Sequence, residues 1–168
     1  KMGKPYQHAA ARLEKFGYRI DTLVVSGRSS SSYNATMIAN TVDKLELKAP
    51  ERLILLGYSK GATDILHFLV DYPELAKKVS AVVSVAGGIN GTPLADKFAD
   101  TYEKWFKNTP IKACAPGDGD VLKSLKRSVQ FPWLAVNPLP QDVRYFSIVA
   151  FTNRENVQPG LLLTYDLL

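Results

Sequence analysis

Residues 53–64 read LILLGYSKGATD. An apolar run over 53–56 stops at Ser59, which stands between Gly57 and Gly61 and is followed by the small Ala62. A buried strand over 53–56 would deliver Ser59 at its end, and the small residues after it would let a helix start without collision. That is the G-x-S-x-G spacing, a sharp strand-to-helix turn that exposes a serine. The bare pattern arises by chance in roughly one chain in twenty of this length, so the flanking residues decide the reading. They supply an apolar strand before the turn and a helical pattern after it; the plainer alternative is a serine that merely occupies such a turn.

Outward from this stretch the chain alternates. Residues 5–16, PYQHAAARLEKF, predict a helix with proline in its first turn and Gly17 as its stop. Residues 19–26, RIDTLVVS, predict a strand rich in β-branched residues, followed by a turn at Gly27 and Arg28 and four serines. A helix is expected over 34–47, with Met37, Ile38, Val42 and Leu45 on one apolar face, ended by Ala49 and Pro50. The strand 52–56 enters the turn, and a helix over 61–70 leaves it with Ile65, Leu66 and Leu69 inward. Residues 80–86, SAVVSVA, form a near-continuous apolar strand of the kind covered on both faces in a parallel sheet. Helix and strand repeated in this order predict an α/β fold, a mostly parallel sheet with right-handed crossovers and helices on both faces. In such sheets functional groups gather at the carboxyl ends of the strands, where Ser59 falls.

Beyond Gly91 the character changes. Residues 92–143 read as a helical insertion of the cap or lid kind within a single domain spanning 1–168. Leu94, Phe98, Trp105 and Phe106 make one helical stripe, and Val121, Leu122, Leu125 and Val129 a second. The proline-rich FPWLAVNPLP is expected to return the chain to the sheet, and residues 144–151, RYFSIVAF, to form a strand. Asp118 and Asp120, in CAPGDGD, read as ordinary turn residues.

Composition bounds the possible functions. A chain of 168 residues that is 46% apolar can bury one good core. The net charge of +5 is scattered, and its densest cluster, Lys123, Lys126 and Arg127, reads as a solvated helix face and not as a nucleic-acid site. One cysteine, Cys114, excludes an internal disulfide and a Cys-rich zinc site. No apolar run reaches the roughly 18 residues that span a membrane, and residues 1–20 lack a signal-peptide core. The chain opens at Lys1 instead of Met, which suits a processed or excised chain and leaves the compartment open between cytoplasmic and, after loss of a targeting segment, periplasmic or secreted. No phosphate-binding glycine loop is present, which argues against a nucleotide-binding domain.

Residues 19–95 resemble the middle of an α/β-hydrolase of the lipase and esterase branch: a strand ending in Ser-Gly-Arg, a helix, GYSKGA, a helix closing at DYPEL, and a strand ending in AGGINGTPLAD. Lipases of that kind usually carry Pro-His where this chain has Ile89 and Asn90. The resemblance implies a serine hydrolase that cleaves carboxylic esters through an acyl-enzyme at Ser59, acts on a small acyl ester or lipid, and needs no cofactor and no metal. It makes the backbone N–H of Lys60 one oxyanion donor and Gly57 and Gly61 the glycines that clear the turn. The chemistry fits these residue types, because a serine hydroxyl becomes nucleophilic only when presented to a carbonyl carbon with a base nearby. Thioesterase and acyltransferase activities use the same turn, and a non-catalytic hydrolase-like binding module is the alternative from another class.

The family's triad runs serine, acid, histidine, yet the only histidines are His8 and His67, both read as ordinary helix residues. Glu155 and Asp166 in the tail are not placed as the acid, so acid and base stay unassigned. The second oxyanion donor is also unassigned, with residues 1–4 as a remnant of its loop. The reading is therefore of a chain that starts after the first strands and stops before the acid and the base.

Overall fold

The computed structural model describes residues 7–105 and 117–167. Three parallel strands lie side by side in the order β1 (Leu53–Tyr58), β2 (Val79–Val85) and β3 (Arg144–Ile148). Register pairs Leu56 with Val83 and Val83 with Phe146, and Gly57 with Ser84 and Ser84 with Ser147. Between β1 and β2 run α3 (Lys60–Asp71) and a short α4 (Pro73–Ala76). Ahead of the sheet come α1 (Gln7–Lys15) and α2 (Ser31–Asp43). Between β2 and β3 lie α5 (Pro93–Trp105), a 3-10 turn at Lys123–Leu125 and α6 (Arg127–Val136); α7 (Leu162–Tyr165) follows β3. No helix among the described residues is long and apolar enough to cross a membrane.

The core forms where α2 and α3 meet the sheet. Ile38 and Val42 of α2, Leu66, Phe68 and Leu69 of α3, and Val79 and Val82 of β2 are all buried in one cluster. Leu53 and Leu55 pack against that cluster, while Ile54 and Leu56 on the other face of β1 are about half exposed. Period-2 alternation along a strand produces this division. At about 25 cal/mol per Å² of apolar surface, burying side chains such as Leu69 and Phe68 contributes roughly 1.5–3 kcal/mol each.

Several expectations are corrected. Residues 19–26 form neither helix nor strand in the described structure, because β propensity makes a strand only where a neighbouring backbone takes its polar groups. At Ser26 the Asn34 side chain takes that place: its Oδ1 accepts from Ser26 N at 3.1 Å and its Nδ2 donates to Ser26 O at 3.0 Å. Helix α2 starts at Ser31 and not at 34, since the Ser30 hydroxyl accepts from Tyr33 N at 3.2 Å as an N-cap. It ends at Asp43 and not at 47, where the Lys78 ammonium donates to the carbonyls of Val42 and Asp43 at 3.0 and 3.3 Å and to that of Leu45 at 3.4 Å.

The second stripe and the proline-rich return are also redrawn. Val121 and Leu122 lie in a turn, and helix begins only at Arg127, running through Pro132. Proline removes one helical hydrogen bond at that point. The helix start is secured from α5, where Asp96 Oδ1 accepts from Arg127 N at 2.9 Å and its Oδ2 from Arg127 Nε at 2.5 Å. Trp133 then stacks on His67 of α3, with ring centres 3.8 Å apart. On α5 the most buried residues are Ala95 and Ala99, with Leu94 and Phe98 half-buried beside them. Residues 1–4, Phe106, Cys114 and the side chain of Trp105 lie outside the described residues. The stop at Gly17 forms as expected: its φ is 87° and its N–H donates to Glu14 O at 2.9 Å.

Candidate active site

Strand β1 ends at Tyr58 and α3 begins at Lys60, so the whole reversal of direction falls on Ser59. Its backbone stands at φ 51°, ψ −122°. A non-glycine residue in that region costs about 1–3 kcal/mol and persists only where its surroundings hold it. Here they do: Ser59 N donates to Val85 O at 2.9 Å, and Ser59 O accepts from Ala62 N at 3.2 Å and Gly88 N at 3.4 Å. The Ser59 hydroxyl caps no helix and the residue is exposed. As the first residue of α3, Lys60 has a backbone N–H with no acceptor inside the helix, beside the positive end of the helix dipole.

The two motif glycines behave differently. A Cβ on Gly57 would stand 2.5 Å from Ala62 N and 2.6 Å from Ala62 Cα and Gly61 C, so only glycine lets α3 turn back this tightly over β1. A Cβ on Gly61 would meet nothing within 4 Å. The expectation that Gly61 clears the turn is therefore corrected. Gly87 is the second residue that must stay small, since its Cβ would collide with the Ser84 hydroxyl and approach Ala62 Cβ at 2.7 Å. That contact, with the Gly88 bond to Ser59 O and the Thr63 hydroxyl donating to Gly88 O at 3.1 Å, seats the loop after β2 against the first turn of α3. In this loop Ile89 packs toward the core and Asn90 is exposed.

The side chain of Lys60 curls along α3 to pair with Asp64, whose side chain is 2% exposed. Asp64 Oδ2 also accepts from Asn34 Nδ2 at 2.8 Å, which ties α3 to α2. Burial pushes the Lys60 ammonium below its usual range and the Asp64 carboxyl above its own, and their mutual attraction opposes both shifts. His67, one turn further, is buried at 6% exposure. Its Nδ1 lies 3.4 Å from the Ser32 hydroxyl and its Nε2 3.5 Å from Gln130 Nε2. Burial and the nearby Lys60 charge push its pKa down to about 4, so the ring is neutral at pH 7. His8 is exposed on α1. Both histidines thus sit in helices, and neither ring is hydrogen-bonded to Ser59. Asp166 forms a two-point pair with Arg154 at 2.8 and 2.9 Å, and Glu155 is exposed.

Sequence reasoning missed Asp64, Asn34 and Asp118. The Lys60 and Asp64 spacing of i and i+4 is a signal in the sequence, as is an aspartate directly before the apolar pair Ile65 and Leu66. Asp118 sits in a turn, as expected, but its carboxylate reaches Ser30, 88 residues away in sequence. No local pattern announces a partner at that separation.

No family model and no curated protein matches the chain. Among solved structures, the metagenomic carboxyl esterase MGS0156 superposes with a TM-score of 0.87 at 40% identity over 96% of this chain. The Bacillus licheniformis lipase BlEst2 in mature form superposes with a TM-score of 0.54 at 20% identity over 71% of this chain, a likeness of fold. The chain spans about half the length of each, 48% in both cases. With the parallel sheet, the strained serine at its carboxyl edge and the identity to the carboxyl esterase taken together, the chain belongs to the α/β-hydrolase superfamily and is built like its esterases and lipases.

Proposed function

We propose that the chain carries the nucleophile of a serine hydrolase that cleaves carboxylic esters through an acyl-enzyme at Ser59. The observation that carries this reading is Ser59 itself: a backbone at φ 51° held in place from three sides, an exposed residue whose hydroxyl is not spent on capping, and beside it the N–H of Lys60, which has no acceptor inside α3. Attack by Ser59 Oγ on an ester carbonyl carbon forms the tetrahedral intermediate, and its oxyanion takes the Lys60 N–H. One such donor contributes about 3–4 kcal/mol in the transition state. Collapse expels the alcohol and leaves the acyl-serine, which water hydrolyses. A general base must accept the serine proton and return it to the leaving alkoxide. We assign neither that base nor its acid partner, because His67 is committed to Trp133, Gln130 and Ser32.

The substrate is a small-molecule acyl ester or lipid, and α5 with α6 forms the described part of the insertion that would bound its acyl group. Ser59→Ala in the intact protein should abolish fluorophosphonate labelling and lower turnover of p-nitrophenyl acetate by at least about 10⁴-fold. Unchanged turnover in that variant would end the hydrolase reading.

A further inference from the structure

Asp118 lies in the insertion, between two glycines of positive φ, Gly117 at 56° and Gly119 at 74°. Its carboxylate is docked on the first turn of α2. Oδ1 accepts from Ser30 N at 2.7 Å and from Asp120 N at 3.0 Å, and Oδ2 accepts from the Ser30 hydroxyl. That hydroxyl, its proton committed to Asp118, turns a lone pair toward Tyr33 N and caps the helix. An anion at this end of α2 also complements the helix dipole. The fit is close as well as polar: a Cβ on Gly117 would run into Ser29 Oγ and stand 2.8 Å from Ser26 Oγ.

From this contact a chain of bonds leads to the residue beside the nucleophile. Ser29 Oγ donates to Ser26 Oγ at 2.7 Å, and Ser26 N donates to Asn34 Oδ1. Asn34 Nδ2 donates to Asp64, and Asp64 holds the ammonium of Lys60, which is also attracted by the charge of Asp118. Partial burial acts to raise the pKa of Asp118, but bonds from Ser30 and Asp120 outweigh it and keep the carboxyl below its usual range. It is therefore an anion throughout the neutral range. The second anchor of the insertion falls nearby, where His67, under Trp133 and Gln130 of α6, faces Ser32 in the same turn of α2.

We propose that Asp118 is a positioning residue: it clasps the insertion to the N-terminus of α2 and thereby fixes the insertion relative to the strand-to-helix turn at Ser59, so that it governs how large acyl groups are bound and not the chemistry at Ser59. The binding half of this proposal rests on the hydrolase reading. A clasp of this kind joins two loops that are remote in sequence, so its loss should be felt first as local opening.

The test uses the intact protein and its Asp118→Ala, Asp118→Asn and Ser30→Ala variants. In Asp118→Ala, amide exchange at Ser30, Tyr33 and Asp120 should accelerate at least about tenfold, with Asp118→Asn intermediate because it keeps one acceptor. KM for p-nitrophenyl decanoate should rise about fivefold or more while kcat for p-nitrophenyl acetate stays within about twofold. Ser30→Ala should reproduce the rise in KM. Unchanged exchange would show that no clasp exists. Faster exchange with KM unaltered, or an equal loss of kcat on both esters, would reduce the contact to ordinary structure and overturn the positioning role. Absence of fluorophosphonate labelling in the parent would sink the hydrolase reading together with the binding half, and exchange would then still decide the clasp.

Discussion

Replacing Gly57 by alanine puts a methyl group 2.5 Å from Ala62 N and 2.6 Å from two further backbone atoms. Carbon contacts are comfortable near 3.5 Å, so β1 and the first turn of α3 must separate by roughly 1 Å. None of the obstructing atoms is the tip of a flexible side chain, and both partners are pinned: Gly57 by its register with Ser84, α3 by buried Phe68 and Leu69. Overpacking typically costs about 1–3 kcal/mol, and an obstacle made of backbone belongs at the upper end. In a domain of about 150–250 residues a loss of about 3 kcal/mol lowers Tm by roughly 6–12 °C. The same displacement moves Ser59, and with Ser59 as the proposed nucleophile a 1 Å error at the reacting atom lowers kcat/KM by about 100-fold. Gly61→Ala is the control. Its methyl meets open space in the first turn of a helix, where alanine is favoured over glycine by up to about 1 kcal/mol, so Tm should hold or rise by a few degrees. Thermal melting of the intact protein, with fluorophosphonate labelling rates, compares the two. A Gly57→Ala variant melting within about 2 °C of the parent, or a Gly61→Ala variant falling as far as Gly57→Ala, would refute the packing argument.

Two further outcomes follow from the buried polar groups. His67 is neutral in the folded protein with its pKa down at about 4, below the ordinary value near 6.5, so the unfolded chain binds the extra proton first. Its contribution is complete above pH 6.5 and is lost as pH falls toward 4; the parent should lose up to about 3 kcal/mol more over that interval than His67→Asn, and matching denaturation curves for the two would exclude it. Lys60→Met strands Asp64 in the core beside Asn34 and should cost about 3–5 kcal/mol in chemical denaturation, whereas Lys60→Met with Asp64→Leu should recover most of that loss; strictly additive effects would rule out a coupled pair.

How much of this was legible in the chain depends on the range of the force that decides each element. The boundaries of β1, α3 and β2 were readable to within a residue or two, because apolar periodicity and the small residues around Ser59 act between near neighbours. Residues 19–26 have strand composition, but a strand exists only when another backbone supplies its partners, and Asn34 answers for Ser26 instead. Helix α6 runs through Pro132 because Asp96, on another helix, secures its start and Trp133 packs on His67. Sequence alone also determined that Ser59 ends a strand and opens a helix, since that follows from the local pattern of residues 53–64. Only the tertiary structure decided which motif glycine is indispensable, that the Lys60 side chain is buried in a pair with Asp64, and that Asp118 caps α2 through Ser30. A clash, a buried charge and a contact 88 residues apart are properties of distance in space, and the chain order does not record that distance until the core has brought the segments together.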